Sequence, residues 1–406
     1  MVISGKRQHL TIALWLPGEP LIEHISMITS KEFITKQQEL GVNCKLFDHA
    51  NIPALSLSWS QNGISEAVAS GCTDTSAPKS VDTRTLFQAA SLSKPVSAAI
   101  ILDLIVQEKW DLHLNTPLTD IVPDYGPELQ HDMENYRKLT IGMVLGQRSG
   151  LPNWFPPGAE KEFIATPDSE FKYSGVAFYF LKKVIEEKTN RKWEEIAQDF
   201  FTKAGMTSST FKSLPASHLK NTHEVASAHL ANGFPVEPFP NDTPEIPAGS
   251  LLTTAKDYTI FLQYCFKNFK TQLLTCKPLN LPNMPTIAEQ IQWGLGIGIY
   301  TDPETKKTIA FHWGNNTGTS TFCAMDMSTG DCVACFSNSV NGPQVFEQVA
   351  KPIVGDIKPL FGWLATFCNF KDASATQAQD TKKFNQAPLP STLKQSCNVY
   401  QTPKLP

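Results

Sequence analysis

Residues 87–105 read FQAASLSKPVSAAIILDLI, a stretch in which a serine and a lysine precede a long apolar run. The pattern predicts a helix over about 92–109, with Pro95 in the first turn, where no backbone N–H is needed. Residues three apart share a helix face, so Ser91 and Lys94 can meet one turn apart. The helix N-terminus favours developing negative charge, and burial in a cleft would lower the pKa of a lysine. We therefore interpret Ser91 as a nucleophile activated by Lys94, although a serine that merely caps a helix would show the same spacing.

The composition is that of a globular protein with a substantial core, since 41% of the 406 residues are hydrophobic and 18% are charged. A net charge of -4 gives no electrostatic reason to expect nucleic acid or an anionic membrane as partner. No apolar run approaches the roughly 20 residues of a membrane helix. The N-terminus lacks the small residues of a signal-peptide cleavage site, although a secretory signal stays an alternative to a strand or extension there.

The nine cysteines are irregularly spaced, and we interpret them as mostly reduced thiols. Cys332 and Cys335 form a C-x-x-C, but the surrounding GDCVACFSN is typical of a buried strand rather than of a redox pair. Reduced thiols and the absence of a convincing signal or transmembrane segment favour a cytoplasmic location.

The order of hydrophobic patterns predicts an α/β (α+β) fold with a central antiparallel sheet flanked by N- and C-terminal helices. A first helix is expected at 27–42, and two alternating runs joined by Gln61-Asn62-Gly63 predict a β-hairpin. Strand patterns return from about 291, and one amphipathic helix is expected over about 343–366.

Residues 111–245 differ, because helical patterns such as 174–188 alternate there with long proline-rich loops. We predict four parts: an N-terminal extension (1–26), an α/β domain (27–110 and 246–370), an inserted, mostly helical domain (111–245), and a polar tail that is expected to be flexible (371–406). The cleft is expected at the junction of the sheet with the helical part.

Five segments, in this order, resemble landmarks of one superfamily: TRTLFQAASLSKPVSAAIILDLIVQEKWDLHLNTPLTDIVPDY, LTIGMVLGQRSGLPNW, FKYSGVAFYFLKKVIEE, PAGSLLTTAKDYTIFL and FHWGNNTGTSTFCAMDMSTGDCVACFSNSVNG. The chain resembles the serine β-lactamase/penicillin-binding-protein superfamily over roughly residues 28–366. It is most similar to the class C β-lactamase-related branch, which includes esterases, D-aminopeptidases and acyltransferases. The β-lactamase/transpeptidase-like fold is implied by this resemblance.

The resemblance also implies residue roles. Ser91 matches the acylated nucleophile and Lys94 its helical partner. Tyr173 matches the family tyrosine, whose phenolate or hydroxyl shares the role of base with the lysine. Tyrosine and lysine both titrate near 10 when unperturbed, and contact in a partly dry cleft can lower one of the two pKa values.

His312, Trp313 and Gly314 occupy the third motif, where other members carry Lys-Thr-Gly or His-x-Gly. The resemblance implies that the N–H of Asn315 joins that of Ser91 as the oxyanion hole. A second alignment, on Trp-Gly-Gly of esterase members, would assign Asn316 instead.

Two departures from the family pattern bear on the substrate, and a third, at Gln147, does not. The second motif is Tyr173-Ser174-Gly175 instead of the Tyr-x-Asn of lactamases and peptidases, so the asparagine that would help hold an amide side chain of the substrate, and the lysine, is missing. His312 replaces a lysine and would supply positive charge only when protonated. Gln147 stands where many relatives have histidine, and we interpret it as structural. The first two departures favour ester hydrolysis or acyl transfer over β-lactam or peptide hydrolysis.

The sequence thus favours an esterase that acts on small acyl esters through an acyl-enzyme on Ser91. An acyltransferase, a β-lactamase or D-amino peptidase, and a catalytically silent binding or scaffold protein stay open as alternatives. The expected partner is a small-molecule ester or amide, and the oligomeric state is undetermined.

No cofactor and no metal are expected, since three loop histidines have no matching carboxylates: His218, His223 and His229. Three aromatic residues are equally compatible with an acyl pocket and with packing of the helical part: Trp154, Phe155 and Phe163.

Overall fold

The computed structural model describes residues 50–124, 132–155, 162–212, 224–236, 244–275, 277–278, 287 and 289–370. The predicted extension (1–26), the predicted helix at 27–42 and the polar tail (371–406) lie outside the described residues. The four-part domain division stays a prediction.

An eight-stranded sheet, antiparallel at every pairing, crosses the molecule in the strand order β2-β1-β10-β9-β8-β7-β6-β5. Strands from both ends of the chain therefore lie side by side, because β1 pairs with β10. A short separate ladder joins β3 to β4. The strands are β1 (Ala54–Gln61), β2 (Ile64–Gly71), β3 (Phe87–Gln88), β4 (Leu252–Thr253), β5 (Lys277–Pro278), β6 (Ile291–Trp293), β7 (Gly298–Thr301), β8 (Thr308–Asn316), β9 (Thr319–Asp326) and β10 (Cys332–Ser337).

The predicted hairpin between β1 and β2 is confirmed. Asn62 and Gly63 both have positive φ, 52° and 78°, as a two-residue turn that matches the twist of the strands requires. The predicted central antiparallel sheet is confirmed as well, and with it the α/β fold class.

Helices cover both faces of the sheet. Successive side chains of the central strands point to opposite faces, and both faces are apolar, so each face needs a layer of helices. On β9, Phe322 and Ala324 face one core while Cys323 and Met325 face the other. The helices are α1 (Ser93–Val106), α2 (Met133–Tyr136), α3 (Ile141–Leu145), α4 (Val176–Thr189), α5 (Trp193–Ala204), α6 (Ala255–Leu273), α7 (Pro343–Val354) and α8 (Lys358–Cys368). Helices α1, α4, α5 and α6 contribute to one core, and α7 and α8 contribute to the other.

The helix predicted over about 92–109 is shorter than expected and has a different beginning. A 3-10 turn covers Ala90–Leu92, and α1 follows from Ser93 to Val106. The turn is tight because Ala90 has a left-handed backbone, with φ of 49°, directly before Ser91. Ser91 therefore lies in the 3-10 turn and not in the α-helix itself.

The prediction of one helix over about 343–366 is wrong. Helix α7 ends at Val354, and α8 starts again at Lys358. Gly355 has φ of 95°, which continues no right-handed helix, and the Asp356 carboxylate accepts a hydrogen bond from Lys358 N (3.0 Å). In the described part of the chain no helix is both long and apolar enough to cross a bilayer.

Candidate active site

Ser91 is held at the end of a fixed backbone segment. The preceding Ala89 donates its N–H to Leu251 O (2.8 Å), and its carbonyl accepts from Thr321 Oγ1 (2.9 Å). These two bonds tie the residue before the 3-10 turn to Leu251, directly before β4, and to Thr321 on β9, so the position of Ser91 depends on three separate parts of the chain. The Ser91 side chain itself is partly exposed.

Lys94 contacts Ser91 directly. Its Nζ lies 2.9 Å from Ser91 Oγ and donates to Ala248 O at 2.9 Å. Only 1% of Lys94 is exposed, and this burial lowers its pKa to about 7. At neutral pH a large fraction of Lys94 is therefore an uncharged amine that can accept the proton of the serine.

The segment that follows residue 246 fixes the lysine on its helix. Ser97 Oγ donates to Pro247 O (2.7 Å), and Leu251 N donates to Ser93 Oγ (3.1 Å) on the first turn of α1. The Ala248 carbonyl, the second partner of Lys94, is a contact that sequence reasoning missed. The only signal for it was the PAGSLLTT landmark, which the resemblance identified without a role.

Tyr173 places its ring beside the lysine. Lys94 Nζ lies 4.8 Å from the ring centroid, and the ring stacks on Trp313 with centroids 5.2 Å apart. The hydroxyl is buried and makes no hydrogen bond of ordinary geometry with the described residues. Burial raises the pKa of the phenol well above its ordinary value, while the nearby Ser91 hydroxyl acts in the opposite direction. Of the two candidate bases, then, the lysine is the one whose pKa is lowered, and Tyr173 is a neutral phenol.

Gln147 holds Tyr173 from both sides. Its backbone carbonyl accepts from Lys172 N (2.8 Å), and its side-chain Oε1 accepts from Ser174 N (2.6 Å). Gln147 is 1% exposed and has a left-handed backbone. Gln147 was interpreted as structural, and in the structure its hydrogen bonds position the segment that carries Tyr173.

His312 is completely buried next to Lys94 and Tyr173. Its Nδ1 lies 2.7 Å from Trp313 O, so Nδ1 carries the proton and Nε2 is left as an acceptor that has no partner among the described residues. Burial, and then the positive charge of Lys94, lower the pKa of His312 to about 3. His312 is therefore neutral and does not replace the positive charge of a lysine.

Gly314 brings β8 into contact with the serine. A Cβ atom on this residue would lie 2.9 Å from Ser91 N, 2.7 Å from Ala89 O and 2.3 Å from Thr321 Oγ1. No larger residue fits without moving the backbone of the 3-10 turn. The inner face of β8, which carries His312, Gly314 and Asn316, thus faces Ser91.

The hydrogen-bond alternation along β8 distinguishes the two candidate oxyanion donors. Lys307 O accepts from Asp302 N on the β7 side, whereas Thr308 O accepts from Met327 N on the β9 side. Odd-numbered residues of β8 thus direct their backbone groups towards β7, and even-numbered residues direct theirs towards β9. Strand β7 reaches only as far as Phe311, so the amide of Asn315 points to an edge without a strand partner in the described region. The amide of Asn316 faces β9 instead.

Gly175 is surrounded by the loop before it. A Cβ on Gly175 would lie 2.8 Å from Trp154 Cζ2 and 3.0 Å from Asn153 O. The Asn153 side chain also accepts from Gly175 N (3.0 Å). Where the family motif has an asparagine, the indole of Trp154 thus occupies the space of a side chain at position 175. Trp154, Phe155 and Phe163 are all partly buried and packed against the core, which favours packing over an open acyl pocket.

Metal-binding residue types do not cluster in the part of the chain that the structure describes. His229 is fully buried and bonded on both sides, with Nδ1 3.0 Å from Asn338 O and Nε2 accepting from Thr75 N (3.2 Å). His218 and His223 lie outside the described residues.

Cys332 and Cys335 lie buried in β10, as the strand prediction required, and burial raises the pKa of both thiols.

Comparison with known proteins adds three findings. The model of the family described as Beta-lactamase matches residues 42–353. Penicillin-binding protein 4 of Amycolatopsis lactamdurans is 26% identical over 249 residues, which are 53% of this chain and 63% of that protein. Esterase EstB of Burkholderia gladioli is 34% identical over 91 residues, 22% of each. The matches thus span less than two thirds of the length of either relative.

Solved structures of low identity share the fold. The octameric penicillin-binding protein homologue from Pyrococcus abyssi is 20% identical with a TM-score of 0.60, covering 77% of this chain and 73% of that one. A class C beta-lactamase is 16% identical with a TM-score of 0.59, covering 76% of this chain and 91% of that one.

Proposed function

The chain belongs to the Beta-lactamase family of serine hydrolases, and from this premise we propose that it hydrolyses small acyl esters through a covalent intermediate on Ser91. The observation that carries the proposal is the 2.9 Å contact between Ser91 Oγ and a lysine whose pKa is lowered to about 7 by burial. A hydroxyl next to an uncharged amine in a dry site is an activated nucleophile.

In the first step Ser91 Oγ attacks the ester carbonyl carbon, and the serine proton moves to Lys94 Nζ. The N–H groups of Ser91 and Asn315 donate to the oxygen that becomes negative. Such preorganised donors contribute most when charge develops in the transition state. The open edge of β8 at Asn315 and the approach of Gly314 to Ser91 N support this pair.

In the second step the tetrahedral intermediate collapses and the alcohol leaves. The alcohol takes up the proton from Lys94, relayed by the neutral hydroxyl of Tyr173. Water then attacks the acyl-enzyme while Lys94 again accepts a proton, and Ser91 regains its hydrogen as the acid leaves. Tyr173 acts here as a phenol throughout, in keeping with its raised pKa.

Three features support an ester rather than a β-lactam or peptide as the substrate. Gly175 offers no amide side chain, and His312 is uncharged. In addition, 22% of the chain is similar to an esterase. An ester needs less assistance than an amide, because an alcohol leaves more readily than an amine.

The test is hydrolysis of p-nitrophenyl acetate by the wild type and by Ser91→Ala. We expect loss of activity in Ser91→Ala and in Lys94→Ala, and full activity in Ser65→Ala, which removes an exposed serine on β2. A fluorophosphonate probe should label the wild type and not Ser91→Ala. Equal rates in wild type and Ser91→Ala would exclude the mechanism, and absence of labelling would favour a silent binding protein.

A second candidate is hydrolysis of β-lactams or D-amino peptides, which the match to penicillin-binding protein 4 favours. A chromogenic cephalosporin measures it directly. Turnover of the cephalosporin faster than that of p-nitrophenyl acetate would make this second candidate the main activity.

A further inference from the structure

Two carboxamide side chains lie next to the reaction centre with hydrogen-bonding atoms unused. Asn316 Nδ2 donates to Gly249 O (3.3 Å) and to Gln88 Oε1 (3.1 Å). A backbone carbonyl can only accept, so the Asn316 atom that faces Gly249 is the nitrogen, and Gln88 must turn its oxygen towards it. Gln88 Nε2 is then left as a donor and Asn316 Oδ1 as an acceptor. Neither atom bonds to the described residues.

The pair lies on the same face of β8 as the contact with the serine. Asn316 is two residues beyond Gly314, which is about 6–7 Å along a strand, and its side chain points in the same direction. His312 lies two residues from Gly314 in the opposite direction. The inner face of β8 thus has an aromatic end at His312, the reaction centre at Gly314, and a carboxamide end at Asn316.

The proton-transfer groups lie at the aromatic end. Lys94 is near enough to lower the pKa of His312, and the Tyr173 and His312 rings have centroids 6.0 Å apart. The leaving alcohol must receive its proton from these groups, so the alcohol part of the substrate lies there. The acyl part then extends from Ser91 towards Gln88 and Asn316.

The two ends also differ in access. At the aromatic end Trp293, His312 and Trp313 are at most 4% exposed, and Tyr173 is partly buried. At the other end Gln88, Asn316 and Gly249 are all partly exposed. The longer, variable part of a substrate therefore fits the carboxamide end.

We propose that Gln88 and Asn316 form an acyl-binding subsite that selects substrates with a secondary amide in the acyl chain, an inference that rests on the proposed ester hydrolysis at Ser91. One donor beside one acceptor complements the C=O and N–H of a single amide group. An alkyl chain at this place leaves both carboxamide atoms unpaired against an apolar surface, which costs binding energy.

The experiment compares p-nitrophenyl 3-acetamidopropanoate with p-nitrophenyl hexanoate, two esters of equal chain length with the same leaving group. Each kcat/KM is divided by the rate constant of the same ester with hydroxide, which removes differences in intrinsic reactivity. We expect a preference of about tenfold for the amide ester in the wild type. Gln88→Met and Asn316→Leu should reduce this preference towards one, whereas Gln292→Met, at an exposed position of β6, should retain it.

The outcomes separate this inference from the proposed function. Hydrolysis of both esters that depends on Ser91 but shows no preference would overturn the subsite and leave the esterase standing. A preference that survives in both Gln88→Met and Asn316→Leu would also overturn the subsite. No Ser91-dependent hydrolysis of either ester would overturn the proposed function and the subsite with it. Circular dichroism identifies a variant that does not fold. If one of the two variants misfolds, the subsite is tested by the preference of the wild type and the preference of the variant that folds.

Discussion

Lys94 Nζ makes two hydrogen bonds, to Ser91 Oγ and to Ala248 O, and these hold the amine beside the serine. Burial shifts its pKa to about 7, within the range where a general base is efficient. The neighbouring groups do not titrate in the same range, because the pKa of His312 is lowered to about 3 and that of Tyr173 is raised. The pH dependence of the reaction should therefore report on one residue.

We predict that kcat/KM for p-nitrophenyl acetate increases with pH through a single ionisation near 7. Protonated Lys94 cannot accept the serine proton, so kcat/KM falls at pH values below the lysine pKa and reaches its maximum at pH values above it. Initial rates between pH 5 and pH 9, corrected for the hydrolysis without enzyme, measure this profile. A flat profile between pH 6 and pH 8 would contradict the role of Lys94 as base.

Gly314 should tolerate no substitution. A methyl group there would approach Ser91 N to 2.9 Å and Ala89 O to 2.7 Å, and because these are backbone atoms the 3-10 turn must move. We expect Gly314→Ala to reduce kcat by 10²-fold or more, on the order of the loss of one oxyanion donor. Gly362→Ala is the control, since a Cβ on Gly362 meets nothing within 4 Å. Normal activity of Gly314→Ala would show that the contact between β8 and the turn is not needed.

At the scale of elements, the junction between the loop at 151–155 and helix α4 sets the shape of one wall near Tyr173. The backbone N–H groups of Gly175 and Val176 both donate to Asn153 O, at 3.0 and 3.1 Å, so the loop closes the first turn of α4. The indole of the following Trp154 then lies where a side chain at position 175 would be. Gly175 and Trp154 are thus sterically coupled.

This coupling predicts the result of a double-mutant cycle. Gly175→Asn alone should lower the free energy of unfolding by about 1–3 kcal/mol, because the rigid indole cannot make room. Combining it with Trp154→Ala should recover part of that loss, which urea denaturation of the wild type, the single variants and the double variant measures. Additive effects of the two changes would show that the residues do not compete for space.

At the scale of the whole molecule, the fold brings Ser91 in a 3-10 turn, Tyr173 in a loop and His312 on β8 together from parts of the chain that are far apart in sequence. The cost of this arrangement is a lysine that is almost completely buried. Its pKa is about 7 in the folded protein and near 10.5 in the unfolded chain, so unfolding takes up a proton between these values. Stability therefore increases with pH from about 7 to about 10 and is lowest, as far as Lys94 is concerned, below pH 7.

We predict that Lys94→Met removes this part of the pH dependence. Between pH 7 and pH 9.5 the free energy of unfolding should change more favourably in the wild type than in the variant, by on the order of a few kcal/mol, because the buried thiols, which also titrate on unfolding, are the same in both proteins. Comparing the gain within each protein cancels the loss of the contacts that Lys94 makes with Ser91 and Ala248. Urea denaturation at both pH values gives the result. Equal gains in the two proteins would show that Lys94 is not the source of the pH dependence.

Much of the fold could be predicted from the sequence because it depends on local patterns. Asn62-Gly63 between two alternating runs specifies a hairpin, and alternating apolar residues in β8, β9 and β10 specify strands with two buried faces. The break between α7 and α8 was not predicted. The apolar periodicity continues across Gly355, and the helices are separated by the positive φ of that glycine and by the hydrogen bond from Lys358 N to Asp356 at the start of α8.

The sequence by itself determined the pairing of Ser91 with Lys94 and the order of the motifs, because the contact between residues three apart in a helical turn needs no distant partner. The tertiary structure alone decided that Lys94 rather than Tyr173 has the lowered pKa, that His312 is neutral, and that Asn315 rather than Asn316 points its amide to the open edge. It also decided that Gln147 bonds to the segment that carries Tyr173 and that Ala248 O bonds to Lys94. The physical reason is that charge depends on burial and backbone direction depends on strand register. Both are fixed only when segments distant in sequence pack against one another.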